Sequence, residues 1–227
     1  MKIFLLFLVS LSLYGVDTKF EAGKLIYQTT CISCHGENGK TNPEIKLIVK
    51  PRKLQETILT QEQSFKIIKH GANYWGAHAD IMPAFKYVYN DDEIRNVAYY
   101  IAKAFNTNHT KKVKKLLKDS TYDNKIGVSL QVGKKIWTKK CAKCHAIKGD
   151  GKSEYVEKSK KEDEFIYPYN LRRTLLSEKQ IFLYAKYGGN YWGAYKSDMP
   201  AWGRKYNDIE LKSVAHYIKT KIIKIKK

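Results

Sequence analysis

Cys31-Ile-Ser-Cys-His35 returns as Cys141-Ala-Lys-Cys-His145, and the two runs use all four cysteines of the chain. A Cys-x-x-Cys-His run is suited to covalent haem attachment. Two thiols add across the two vinyl groups of the ring, and the adjacent imidazole ligates the iron. Two intervening residues set the sulfurs about one helical turn apart, a span that matches the porphyrin edge. Other uses of these cysteines fit less well. A thioredoxin-like pair belongs after a strand in a βαβ unit, and neither run has such surroundings. A shared four-cysteine zinc site wants its pairs far closer than the 110 positions between Cys31 and Cys141. Two disulfides are compatible with an oxidising compartment, but a two-residue loop strains the bridge. The runs predict two haem c groups, held by Cys31 and Cys34 and by Cys141 and Cys144, with His35 and His145 as axial ligands.

Apart from the initiator, Met82 and Met199 are the only methionines, and each opens a Met-Pro-Ala-aromatic stretch. Proline fixes a loop that can hold the thioether toward an iron. Both are therefore expected as second axial ligands, rather than the core filler a methionine ordinarily is. The remaining histidines serve as a control. His70, His78 and His216 align with tyrosines of the other half, and His109 falls between the halves. A ligand needed at both irons should recur, so these four read as surface or packing residues.

The chain is an internal repeat. Ala22–Tyr27 matches Val132–Trp137, Gly71–Ala77 matches Gly188–Ala194, and Val97–Ile101 matches Val214–Ile218. The offset grows from 110 at the cysteines to 117 at the methionines, so the second half holds seven extra residues, placed within a polar exposed loop at Gly149–Asp163. Phe20–Thr30, Thr60–Lys69, Asp91–Ala104 and their counterparts read as helices, with Asp91 and Asp208 as N-caps. Residues 18–108 and 128–227 form two domains, and the lysine-rich linker 109–127 extends the last helix of the first domain before turning. Units this small bury a modest core, which a central haem would complete.

Each half resembles a class I cytochrome c domain. Gly23 with Tyr27 and Gly133 with Trp137 match the glycine-and-aromatic pattern of that family's first helix, and Tyr100 and Tyr217 match the aromatic of its last. The whole chain resembles two-domain dihaem cytochromes of the c4 type. The resemblance implies an all-α tandem repeat of two helical domains, each wrapped around one covalent haem, with first and last helices crossing at the glycine. It also suggests that Pro51 and Pro168 line the haem, where one carbonyl accepts the ligating histidine's Nδ1–H; plain turn prolines are the alternative. Asn73, Asn190, Trp75 and Trp192 are candidates to bond a thioether or propionate, or to pack on the porphyrin face.

Residues 1–17 start with Met1-Lys2 and an apolar run, the pattern of a secretory signal. Periplasmic export agrees with c-type haem, which is attached outside the cytoplasm. The formal charge of +20 fits acidic redox partners or an anionic membrane face better than nucleic acid, which an exported protein rarely meets; the alternative is background charge, since Lys, Ile, Asn and Tyr are abundant throughout, as an AT-rich genome would give. Lys139, Lys140 and Lys143 flank the second haem run where the first has Thr29, Thr30 and Ser33, so the second haem is the expected docking face. Two saturated irons leave no place for substrate, and no nucleophilic triad or phosphate loop is present. The expected function is electron transfer between redox partners, not catalysis. The alternatives are a cytochrome subunit of a larger dehydrogenase, such as a sulfur-compound oxidising one, and a dihaem peroxidase, against which the matched Met-Pro-Ala motifs argue.

Overall fold

In the computed structural model, which describes residues 17–42, 44–46, 50–77, 82–105, 107–123, 125–161, 168–194 and 199–225, every regular element is helical. The expected signal segment, but for its last residue, and His78 lie outside the described residues. The first repeat supplies α1 (Thr18–Ile26), α2 (Ile32–His35), α3 (Gln61–His70) and α4 (Asp91–Ala104). Then come α5 (Asn108–Lys118), α6 (Leu130–Ile136), α7 (Ala142–His145), α8 (Glu154–Lys161), α9 (Glu178–Tyr187) and α10 (Asp208–Tyr217). Among the described residues no helix is long and apolar enough to cross a membrane.

Helix α1 crosses α4 at Gly23, where a Cβ would sit 2.0 Å from the Asn96 carbonyl oxygen; α6 crosses α10 at Gly133, 2.1 Å from that of Ser213. Only hydrogen fits at either position, so the helix backbones touch. The aromatic pairs expected at these crossings are present. Tyr27 lies 5.4 Å from Tyr100, and Trp137 lies 6.4 Å from Tyr217. The expected single helix Phe20–Thr30 is instead broken: a π-helical turn, Tyr27–Cys31, separates α1 from α2, and Trp137–Cys141 does the same before α7. Such wide turns are rare and gather at functional sites.

The N-caps fall one residue earlier than expected. Asn90 and Asn207, with extended backbone, accept from the backbone of Glu93 and Glu210, whose carboxylates return to the cap N–H at 2.8 and 2.9 Å. A side-chain acceptor just outside the helix must reach N2 or N3. Asp91 and Asp208 are then first-turn residues that favour the helix dipole.

Two further expectations are corrected. The linker does not extend α4. That helix ends at Ala104, and Thr107 caps a new helix, α5, by accepting from Thr110 N. Its Val113 is buried in the second core, with Leu116 and Leu117 packed against it. The Thr107 and Thr110 hydroxyls meanwhile donate to the Gln55 carbonyl of the first repeat. The inserted stretch of the second repeat is not simply a loop either. It contains α8, and Val156 there is 1% exposed. Tyr155 and Val156, adjacent in a lysine- and glutamate-rich stretch, carry too little periodicity to announce this.

The two repeats dock by contacts that equivalent residues make in both directions. Lys53 N donates to Gly193 O at 3.0 Å and Asn170 N to Gly76 O at 2.8 Å. Gly76 and Gly193 are left-handed, and a Cβ would meet the Asn170 oxygen at 2.2 Å or the Lys53 oxygen at 2.6 Å. The Gln63 amide donates to Gln180 Oε1 at 2.9 Å, and the Gln180 amide donates back at 2.8 Å. Ile58 of the first repeat, fully buried, belongs to the second core.

Candidate haem-attachment sites

Each cysteine pair straddles the junction from the π turn into the short helix that ends on its histidine. All four cysteines are partly exposed. Burial, then the neighbouring Cys34, pushes the Cys31 thiol up to about 11; burial and Cys144 push Cys141 to about 12. Protonated thiols are poor ligands for a bare metal ion and resist oxidation. Among the described residues no three His, Cys, Asp or Glu side chains converge as they would around one. A haem needs instead two thiols in reach of a ring edge and one imidazole beside them, which is the donor set present.

Burial holds both imidazoles below the ordinary histidine range, opposed by the Arg52 carbonyl at His35 and by the Tyr169 carbonyl at His145. Neutral imidazole is the form that ligates iron. His145 Nδ1 lies 3.1 Å from Tyr169 O. As the donor to that carbonyl, Nδ1 carries the ring proton and Nε2 keeps the free lone pair. His35 Nδ1 is buried without a bond of standard geometry, and Arg52 occupies the position equivalent to Tyr169. The carbonyls that serve the histidines are thus those following Pro51 and Pro168. The prolines stiffen the loop, and the histidines meet the next carbonyl along.

The turn after each histidine is tight. Thr41 N donates to His35 O at 2.9 Å, and Gly151 N to His145 O at 3.0 Å. Thr41 holds φ 81° without being glycine, a conformation unfavourable for a β-branched residue. Its hydroxyl donates to Pro51 O at 2.9 Å, tying this turn to the proline loop.

The methionines are placed alike. Ala72 N donates to Met82 O and Gly189 N to Met199 O, each at 3.1 Å, so each Met-Pro-Ala segment is pinned at the end of α3 or α9. Met82 and Cys31 border the same first core; Cys141 borders the second. The tryptophans before the methionines hold the scaffold. Trp75 Nε1 donates to Lys66 O at 2.9 Å and Trp192 Nε1 to Leu183 O at 3.1 Å. Asn73 and Asn190 are exposed. His70 stacks on Tyr74, His216 lies 3.4 Å from Glu178, and His109 packs edge-on against Trp192 with its Nε2 buried and unpartnered. None of the three recurs in the other repeat.

Beside the second site, Lys205 pushes the Lys140 ammonium below the ordinary lysine range, followed by desolvation and then by Lys139 and Lys143. The equivalent place in the first repeat is neutral, with Thr30 Oγ1 and Tyr89 Oη 2.6 Å apart.

A family model described as cytochrome c oxidase, cbb3-type, subunit III, matches residues 18–101 and again 129–218. Among solved structures, a chain of a reducing HAO-like protein complex from Kuenenia stuttgartiensis is 20% identical, with a TM-score of 0.48, covering 89% of this chain and 96% of that one. No curated relative matches.

Proposed function

Because the chain belongs to the cytochrome family described as cytochrome c oxidase, cbb3-type, subunit III, twice over in tandem, we propose that it relays electrons in the periplasm through two covalently held, His/Met-ligated haems. The family implies haem c; bound haem supplies a one-electron iron couple, which a sulfur ligand shifts toward the ferrous state. Cys31 and Cys34 hold the first ring and Cys141 and Cys144 the second, with His35 and Met82 on the first iron and His145 and Met199 on the second. The observation that carries this reading is the hydrogen bond from His145 Nδ1 to the Tyr169 carbonyl, which orients the ring and leaves Nε2 to ligate. The methionine loops, pinned to equivalent helix ends, supply a matched second ligand.

The lysines around the second site support an acidic protein partner there, with the neutral first site left to a different one. A second reading, a cytochrome subunit of a larger oxidoreductase, is favoured by the family's description as an oxidase subunit; it requires a stoichiometric complex that survives purification in high salt.

The test is haem counting followed by ligand exchange. The purified protein should carry two haems that acid-acetone does not extract. Met82→His should lower one potential and Met199→His the other. One haem per chain, or potentials unmoved by either change, refutes the assignment.

A further inference from the structure

Arg52 sits in the boundary between the repeats, half-buried, and its side chain enters the second one. The guanidinium donates to Tyr184 Oη at 2.9 Å, to the Trp192 carbonyl at 3.3 Å and to Tyr169 Oη at 3.4 Å. It also lies over the Tyr169 and Tyr184 rings, 5.1 and 5.5 Å from their centroids. All these partners are neutral. Among the described residues no carboxylate lies within ion-pair distance of it. A guanidinium stays charged at any ordinary pH. Taking it out of water is unfavourable unless an anion compensates. The surrounding hydroxyls and carbonyl orient the fork without neutralising it.

The position of Arg52 identifies where the missing anion belongs. Its own carbonyl faces His35, and its counterpart in the other repeat is Tyr169, whose carbonyl accepts from His145. One residue therefore touches both candidate haem sites, with its backbone at the first and its side chain at the second. The anions a haem brings are its two carboxylates, and a planar fork of donors suits a carboxylate better than any other cation does.

We infer that Arg52 is a counter-ion for the carboxylates of the second haem, a binding residue that the first repeat lends to the second centre. This rests on the covalent haems proposed above. The arrangement is not mirrored, because Tyr169 stands at the equivalent place of the second repeat. A fixed positive charge favours the ferrous centre, which carries one positive charge less than the ferric one. Arg52 therefore raises the potential of the second haem relative to the first.

The test uses the full-length holoprotein and redox titration of both haems in the parent, Arg52→Gln, Arg52→Lys and Tyr184→Phe. Arg52→Gln should shift the second haem about tenfold toward the oxidised form, a fall of about 59 mV for a one-electron couple, with the first haem moved less. Tyr184→Phe, which frees one arm of the fork, should shift it in the same direction by less. Arg52→Lys keeps the charge and should stay close to the parent, and Tyr184→Phe carries the test if the glutamine variant does not fold. Two haems retained with both potentials unchanged in Arg52→Gln and Tyr184→Phe would overturn the inference and leave the dihaem reading standing. So would a lysine variant displaced as far as a glutamine one. A parent protein without covalent haem would overturn both.

Discussion

Breaking the Gln63–Gln180 pair should weaken the docking of the two repeats. Each residue occupies the third position of its helix, α3 or α9, and each Oε1 accepts from its own N-cap, Thr60 N at 2.9 Å or Ser177 N at 2.8 Å. Each Nε2 donates to the opposite repeat twice: to the other glutamine, and to Leu175 O or Ile58 O, both at 2.9 Å. Gln180 is 2% exposed, so water does not replace what is lost. Gln180→Ala removes four hydrogen bonds and strands the Ile58 carbonyl. At about 0.5–1.5 kcal/mol net per bond, with more for a stranded buried group, the cost is about 3 kcal/mol or above. Gln63→Ala loses the equivalent set from a wetter position and should cost somewhat less. The double variant loses the two mutual bonds once rather than twice, so the single costs should exceed the double by about 1–3 kcal/mol. Guanidinium denaturation of the parent and three variants, followed by far-ultraviolet dichroism, measures the coupling, provided each shows one transition. Additivity within about 0.5 kcal/mol would show that the two amides do not meet and that the repeats are not docked through this pair.

Glu178 should govern part of the acid sensitivity. Burial opposes its charge, but Lys125 and His216 beside it hold the carboxyl below the usual carboxylate range. A depressed folded-state value stabilises above the unfolded value, near 4.3, and that stabilisation is lost as pH falls through the folded value. Glu178→Gln should cost about 1 kcal/mol at pH 7 and flatten the decline below pH 5; equal pH profiles for variant and parent would refute this. Changing Lys139, Lys140 and Lys143 to Gln should slow electron transfer to a small acidic redox protein at low salt and lessen its salt dependence, measured by stopped-flow. An unchanged rate and salt slope would leave these lysines as background charge.

What the sequence determined by itself is whatever short spacing or repetition encodes. The two Cys-x-x-Cys-His runs, the paired Met-Pro-Ala segments and the glycine with its aromatic four residues on are local patterns, and their recurrence assigned an all-helical tandem cytochrome. Short-range chemistry also misled where two residues compete for one role. Asn90 and Asp91 are both good caps, and only the observed backbone shows that Asn90 holds the extended position. Tertiary structure alone decided that α5 packs its Val113 on the second core, that Val156 buries a turn inside a charged insertion, and that Arg52 meets Tyr169 and Tyr184. Those contacts join residues tens to more than a hundred positions apart, mostly between types that do not match in the two repeats, so neither periodicity nor self-comparison signals them. Gln63 and Gln180 are the instructive middle case. They stand at equivalent positions and are identical, so the repeat exposes them. That they bond one another follows only from the near-two-fold docking of the repeats, a relation in space that no spacing along the chain records.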